Sequence, residues 1–348
     1  MSNSNTWPQL IETLTNGLDL SAGSAQWAMN EILQGETDIA QIKEFLLALK
    51  TKGETVEEVN AFVGAMYQHS SPIDISERAV DTVGTGGDGF NTINISTTAA
   101  IVAAAAGAKV VKHGNRAATS KSGSADLLEA LGVNIDLVGE GVETVFREVG
   151  IGFCFAPKFH PAMRFAAPAR KELGVPTIFN ILGPLANPAK PKAAAIGVAN
   201  DRMHLLMAQV LSAKGVDGFV FRGDDGLDEI SLATTTSVLT IGQGEISSDL
   251  IDPTEFGISK APITDLVGGD AQFNANVSLA IFKGEHGAPR DAVALNAAAA
   301  IAAYKGEFNK SLTERIHDGY EDAIKAIDSG AATTLLEKWV TVSQRLAK

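Results

Sequence analysis

Cysteine is nearly absent. Cys154 is the only one in 348 residues, which excludes an intrachain disulfide and a thiolate metal cluster and fits a reducing compartment. Its neighbours Phe153 and Phe155 make an apolar setting, that of an inert buried thiol and not of a nucleophile. Basic residues are also scarce: 28 Lys and Arg stand against 41 Asp and Glu, for a net charge of -13. A partner that is mainly nucleic acid needs a broad cationic surface, so the charge balance argues against that class. It does not argue against a small anionic ligand, because a local cluster of cations and backbone N–H groups suffices for one. No long hydrophobic run occurs. The longest, from Thr98 to Val111, is interrupted by Gly107 and Lys109 and falls short of the roughly 20 residues that cross a bilayer. Met1 to Gln9 lacks the basic start and apolar core of a signal peptide. The expectation is a cytoplasmic protein with no membrane segment and no nucleic-acid partner.

What is present is a 45% apolar chain with 34 glycines and long alanine-rich stretches, enough for a sizeable core and longer than one core usually serves. From Trp7 to Gln68 apolar residues recur at helical spacing, as at Ile42, Phe45, Leu46 and Leu49. Past Ser70-Ser71-Pro72 short β-rich runs alternate with helical ones. Strands are expected at Ala79 to Val83, Ala108 to Lys112, Ile151 to Phe155, Ala193 to Val198, Gly218 to Phe221 and Val238 to Ile241. Alternation of this kind implies an α/β domain with a mostly parallel sheet. Prolines at 161, 168, 176, 184 and 188 make long regular elements improbable from His160 to Pro188, a segment that reads as a hinge or lid. Thr313 to Ala347 has a mixed-charge helical pattern, expected to pack on the surface of the main domain.

Gly84-Thr85-Gly86-Gly87-Asp88-Gly89 follows a candidate strand and matches the G-x-G-x-x-G spacing of dinucleotide-binding loops. That reading also needs an acid about 20 residues later to hold a ribose hydroxyl. Lys109 and Lys112 stand in that region instead. No G-K-[ST] follows, so a P-loop is excluded as well. After the glycines come Asn91 to Thr97 and then an alanine-rich helix from Thr98 to Ala106. Asn94 or Ser96 would cap it, leaving N–H groups and the positive dipole end for an anion such as pyrophosphate. The bland alternative is a tight turn with ordinary capping.

A second polar loop leaves a second strand. Ala108 to Val111 runs into Lys112-His113-Gly114-Asn115-Arg116, placing cations and amides at a strand's C-terminal end, where open α/β sheets bind ligands. Ala117 to Ser124 adds Thr119, Ser120, Lys121, Ser122 and Ser124 before a helix at Ala125 to Ala130, another anion cradle. Lys112 and Arg116 would otherwise be solvated surface charges. His113 is assigned to binding, although a loop histidine is more often a packing residue.

Together these motifs resemble the anthranilate phosphoribosyltransferase family. The likeness continues through His160-Pro161-Ala162-Met163-Arg164, Arg170, the run Thr177 to Leu185 and Gly226-Leu227-Asp228-Glu229, and so spans nearly the whole chain. It implies a small helical domain plus a large α/β domain with a mostly parallel central sheet, a nucleoside phosphorylase/phosphoribosyltransferase-like two-domain fold. The helical domain would be residues 1–72, joined in space by part of about 162–190, with hinges near 70–78 and 160–190 in the α/β domain of 73–348. The implied reaction moves the 5-phosphoribosyl group of phosphoribosyl pyrophosphate (PRPP) to the amino group of anthranilate, a step of tryptophan biosynthesis. One or two Mg²⁺ per subunit and a homodimer through the helical domains are implied too.

By the same resemblance, PRPP is held by Gly84, Gly87, Asp88, Thr92, Asn94, Ile95, Ser96, Thr97, Lys112, His113, Gly114, Asn115, Arg116, Ala117, Ala118, Thr119, Ser120 and Ser124. The pair Ala118-Thr119 departs from the family pattern, which often has a larger aliphatic residue and a serine, but Thr119 keeps a hydroxyl. Anthranilate falls to Gly84, Asn115 and Arg170, whose guanidinium fork suits a carboxylate. Ser96, Asp228 and Glu229 are implied as Mg²⁺ ligands, direct or through water. Without the resemblance, Asp228-Glu229 would pass for a solvated pair and Arg170 for a surface charge. No residue is assigned as catalytic acid or base, because an aromatic amine is neutral at pH 7 and needs positioning more than deprotonation. Two rivals share the plan: a pyrimidine nucleoside phosphorylase, and a non-catalytic nucleic-acid-binding relative, which the missing basic surface disfavours.

Overall fold

The computed structural model describes residues 5–117 and 120–346. Ala118 and Thr119, both in the expected PRPP set, lie outside the described residues. Residues 5–68 form four helices, Trp7–Thr15, Ala22–Gln34, Ile39–Lys52 and Val56–Gln68. Three of their starts are capped by local side chains: Ser21 accepts from the Ser24 N–H, Asp38 from Gln41, and Thr55 and Glu58 cap each other's backbone. Buried Phe45, Phe62, Met29 and Ile32 fill the space between them.

Seven strands build one sheet: β1 Val80–Gly84, β2 Val110–Gly114, β3 Ile151–Phe155, β4 Ala193–Gly197, β5 Asp217–Gly223, β6 Thr236–Gly242 and β7 Glu245–Ile251. Their order is β3-β2-β1-β4-β5-β6-β7. The pairings are parallel from β3 through β5 and antiparallel at β5–β6 and β6–β7. The expected strands are all present with ends shifted by at most two residues. β7 was not expected. Its sequence, Glu-Ile-Ser-Ser-Asp-Leu-Ile, is mostly polar and exposed because it pairs on one side only, as an edge strand.

One face of the sheet carries the alanine-rich helices Ile95–Ala105 and Ala288–Lys305, packed on each other. The first of these begins three residues earlier than expected. The C-terminal region corrects the sequence reading more substantially. It is two helices, Leu312–Asp328 and Ala331–Arg345, and they supply Ile316, Ile327, Leu336 and Trp339 to the core. Gly319 makes the packing close, since a Cβ there would meet the Ala298 carbonyl oxygen at 2.6 Å. On the other face, buried apolar residues run continuously from the first four helices through Ile181 and Leu182 to Ile196, Met207 and Val220. The proline-rich segment holds only short helices, among them Ala167–Leu173, packed on Ile39–Lys52, and Phe179–Leu185.

Candidate active site

From the central pair β1 and β4 the chain proceeds to β2 and β3 on one side and to β5, β6 and β7 on the other. The C-terminal ends of β1 and β4 therefore border the switch point, where an open α/β sheet offers a crevice. Gly84 ends β1 and Gly197 ends β4, opposite each other. Across both lies the segment carrying Asp228 and Glu229. A Cβ on Gly84 would stand 2.2 Å from Asp228 Oδ2, and one on Gly197 would stand 1.7 Å from the Asp228 carbonyl oxygen. Only glycine at both strand ends lets the acidic pair settle there.

The pair is buried, not solvated, with 8% and 7% of each residue exposed. The Gly86 N–H donates to Asp228 Oδ2 at 2.6 Å, and the Ser96 N–H donates to Glu229 Oε1 at 3.1 Å. Glu229 therefore caps helix Ile95–Ala105, which corrects the expectation that Asn94 or Ser96 does so. Asn94 occupies the cap position, but its side chain leaves the helix, donating to the Ser122 carbonyl at 2.9 Å and accepting from Asn274 at 2.8 Å. It ties the two polar loops together.

Burial raises the Asp228 carboxyl to about 7, and Asp88 lying against it adds to the effect. Burial, then Asp228, pushes Glu229 well up. The cation nearest this charge is Lys112, 1% exposed, whose ammonium is pushed down by burial and up by Asp81, Glu229 and Asp228. Its Nζ donates to the Thr82 carbonyl. Lys112 thus sits beneath the site and does not project from the loop. Buried acids raised in this way hold protons unless a cation is supplied, and a divalent cation would offset the charge of the ionised pair.

The glycine loop has Gly86 and Gly87 in succession at φ 71° and 85°, a conformation that turns consecutive N–H groups toward one side. Thr92 bridges to Val267, and the Ile93 N–H donates to Leu266. Ile95 is 1% exposed and faces the core, as does Thr97 at 2%, so backbone groups are what these two can offer a ligand.

In the second loop Gly114 lies against Ser124, whose Oγ would meet a Cβ there at 2.2 Å. The Ser124 hydroxyl donates to the Asn115 carbonyl at 3.1 Å, and the Asn115 side chain accepts from the Arg116 N–H at 2.7 Å. Ser120 is exposed and donates to the Ser122 carbonyl. The Arg116 guanidinium is committed elsewhere, to Asp126 at 2.9 Å and Glu129 at 2.5 Å. Asp126 also accepts from the Ala117 and Gly123 N–H groups at 3.0 and 2.8 Å, which closes the loop on the start of the next helix. An acid in the first turn of a helix that follows a glycine was the available signal for this residue.

His113 is buried, with Nδ1 2.9 Å from the Gly183 carbonyl, its ring 5.1 Å from that of His160 and Nε2 unpartnered among the described residues. Burial and the neighbouring His160 lower its pKa to about 3, so it is neutral at pH 7. Through Gly183 it touches helix Phe179–Leu185. The Phe179 ring in turn lies 5.4 Å from the Arg170 guanidinium, which burial partly desolvates and which has no carboxylate partner among the described residues. Nor does any hydrogen bond or ion pair among those residues join Arg170 to the acidic pair.

Sequence reasoning missed Asn274, Asn296 and Asp81. Asn296 accepts from the Ile230 N–H at 2.9 Å and so anchors the chain just past Glu229. Asp81, 1% exposed, is raised to about 6 by burial despite Lys112 and Asn187 nearby. An acid inside a strand between Val80 and Thr82 was the signal, because only a paired carboxylate is held there.

Family models match most of the chain: a glycosyl transferase family helical bundle domain over residues 8–70 and a glycosyl transferase family a/b domain over residues 76–333. An anthranilate phosphoribosyltransferase from Rhodococcus jostii (strain RHA1) is 51% identical over 98% of this chain and 94% of its own length. One from Thermobifida fusca (strain YX) is 50% identical over 99% and 98%. The crystal structure of the Thermus thermophilus enzyme superposes with a TM-score of 0.89 at 39% identity, covering 96% of this chain and 99% of that one. The Saccharomyces cerevisiae enzyme in complex with PRPP and Mg gives 0.88 at 27% identity, covering 97% and 98%. The same yeast enzyme with 4-fluoroanthranilate gives 0.86 at 26% identity, covering 98% and 99%.

Proposed function

Since the chain belongs to the anthranilate phosphoribosyltransferase family, we propose that the acidic pair, the glycine loop and the second polar loop are the parts of this protein that carry its reaction. It transfers the 5-phosphoribosyl group of PRPP to the amino group of anthranilate, giving N-(5-phosphoribosyl)anthranilate and pyrophosphate in tryptophan biosynthesis. The bond from ribose C1 to pyrophosphate breaks as the amine attacks, so positive charge grows on the sugar and negative charge on the leaving group. Neither the phosphorylase reading nor the nucleic-acid reading draws support from the relatives.

Magnesium is the cofactor. We propose Asp228, Glu229 and the Ser96 hydroxyl as its holders, one or two ions per subunit. The supporting observation is the burial of adjacent carboxylates without enough cations to offset them. When bound, the metal supplies charge neutralisation for pyrophosphate oxygens. The chain's own contribution is separate. Gly84 and Gly87 let amides approach the phosphates, Asp88 and Thr92 border that approach, and Asn94 fixes the spacing between the loops. Helix Ile95–Ala105 presents its N-terminal N–H groups and dipole, with Ser96 and Thr97 in its first turn. Lys112 adds charge from below, while Gly114, Asn115, Ser120 and Ser124 form the second wall.

The Arg170 fork, steadied on the Phe179 ring, is proposed to take the anthranilate carboxylate with Asn115 and the Gly84 backbone. Arg116 serves the loop through Asp126 and Glu129, and its guanidinium is not proposed as a phosphate ligand. His113 stays neutral and positions the Gly183 carbonyl. No catalytic base is assigned.

A division at 72/73 with hinges near 70–78 and 160–190 is part of this reading, as is a homodimer through the helical unit. The exposed side chains of Leu18 and Leu47 on that unit support the dimer. The direct test follows anthranilate fluorescence with PRPP and Mg²⁺. Persistence of anthranilate under all conditions refutes the function, and phosphorolysis of thymidine or uridine would install the phosphorylase reading in its place.

A further inference from the structure

β1 pairs with β4 along five residues, and β2 pairs with β3 along five. Between β1 and β2 the register contains one pair only, Val80 opposite Val110. Beyond it the two strands form no further ladder pair, and the backbone groups that a ladder would have used still require partners, since they are buried. Side chains supply them. Asp81 accepts from the His113 N–H at 3.3 Å, Asn187 donates to the Val111 carbonyl at 2.9 Å, and Lys112 donates to the Thr82 carbonyl. The set is closed by Asn187 Nδ2, which also donates to Asp81 Oδ2 at 2.8 Å. Asn187 is 3% exposed and belongs to the chain just after helix Phe179–Leu185. A buried clasp therefore joins the proline-rich segment to the central strand, in the gap through which the two polar loops separate.

We propose that Asp81 is a positioning residue for the transferase reaction, registering the Arg170- and Phe179-bearing segment against the β1 and β2 exits through Asn187. This rests on the assignment of Arg170 to anthranilate. The strands themselves do not depend on the clasp, because β4 holds β1 and β3 holds β2. The segment tied in by Asn187 keeps its bonds from His113 to Gly183, from Tyr67 and Lys214 to Leu185 and from His160 to Ala186, so loss of the clasp shifts it without detaching it. Loss of the clasp therefore disturbs the anthranilate side and leaves the PRPP side in place.

Asp81→Asn is nearly isosteric and can still accept from His113, but its amide then faces the Asn187 amide, donor against donor. Turning Asn187 over to relieve this gives up the Val111 carbonyl. The expected result is a rise in the KM for anthranilate of about tenfold, with the KM for PRPP held within about threefold and the Mg²⁺ dependence unchanged. Asn187→Ser should behave alike, and the double variant should be no worse than the poorer single one, because both break one clasp. Melting temperatures are recorded throughout. A lower melting temperature with both KM values unchanged would make Asp81 a structural residue only. An equal rise for PRPP would place its action on Lys112, and additive effects would mean two independent contacts, so each overturns the proposal. If Asp81→Asn does not fold, Asn187→Ser decides alone, since it leaves the carboxylate on the His113 N–H. A wild-type enzyme that consumes no anthranilate would refute the function itself, a separate outcome.

Discussion

Gly197→Ala tests whether the acidic pair depends on the two strand ends beneath it. The new Cβ would lie 1.7 Å from the Asp228 carbonyl oxygen and 2.4 Å from its carbonyl carbon. The obstacle is backbone on both sides, so no rotamer change relieves it. The Asp228-Glu229 segment must retreat by roughly 1.5 Å before ordinary contact is restored. The two bonds that hold the pair, Gly86 N–H to Asp228 at 2.6 Å and Ser96 N–H to Glu229 at 3.1 Å, do not survive such a shift. Each hydrogen bond to a charged group contributes roughly 1.5 to 3 kcal/mol. If the displaced pair loses even one such contribution to the bound PRPP complex, kcat/KM for PRPP falls roughly tenfold to over a hundredfold by the usual conversion. The assay is anthranilate fluorescence at varied PRPP and Mg²⁺, with circular dichroism to confirm folding. Gly64→Ala is the control, because a Cβ there meets nothing within 4 Å and alanine in a helix adds about 0.5 to 1 kcal/mol of stability. Normal PRPP kinetics and Mg²⁺ dependence in folded Gly197→Ala would refute the reasoning.

Changing Asp228 to Asn and Glu229 to Gln together should weaken Mg²⁺-PRPP binding and raise the melting temperature of the metal-free protein, since it removes buried charge without a full counter-charge; unchanged Mg²⁺ dependence would take the pair out of the metal site. Arg170→Ala should raise the KM for anthranilate roughly tenfold to over a hundredfold with PRPP nearly normal, and lysine should rescue only partly; an equal rise for PRPP, or no rise for anthranilate, returns Arg170 to a bland role. Burial, then Lys190, lowers the Lys214 ammonium from 10.5 to about 8, so the folded protein binds fewer protons than the unfolded one between those values. The penalty is complete below pH 8 and disappears as pH rises toward 10.5. Chemical denaturation of wild type against Lys214→Met should show a stability difference that changes by about 3 kcal/mol across that window, and a flat difference would place Lys214 in solvent.

Much of the site was legible as motifs. The strand followed by Gly84 to Gly89, and the strand exit at Lys112 to Arg116, stand out because turn chemistry and clustered polar residues after an apolar run are local signals. Long-range partners are not local. Nothing in the chain near Asn274 or Asn296 indicates that one reaches Asn94 and the other the backbone at Ile230. Arg116 shows the converse: a cation in a glycine-bearing loop reads as unpaired in sequence, and the next helix brings Asp126 and Glu129 to its guanidinium. The C-terminal region looked like a surface helix because its charges are conspicuous, while Trp339 and Ile327 on its other face lie in the core.

Periodicity and turn residues by themselves determined the helical start, six strands and the two glycine-bearing loops, because those features depend on neighbours a few positions away. The order of strands, and with it the crevice between β1 and β4, was decided by packing across the whole chain. So was the character of Asp228-Glu229. As sequence they are two adjacent acids in a glycine-flanked loop, with every reason to face water. Gly84 and Gly197, more than 100 positions apart along the chain, open the space that buries them, and burial without a full counter-charge is the ground on which a cation is proposed there.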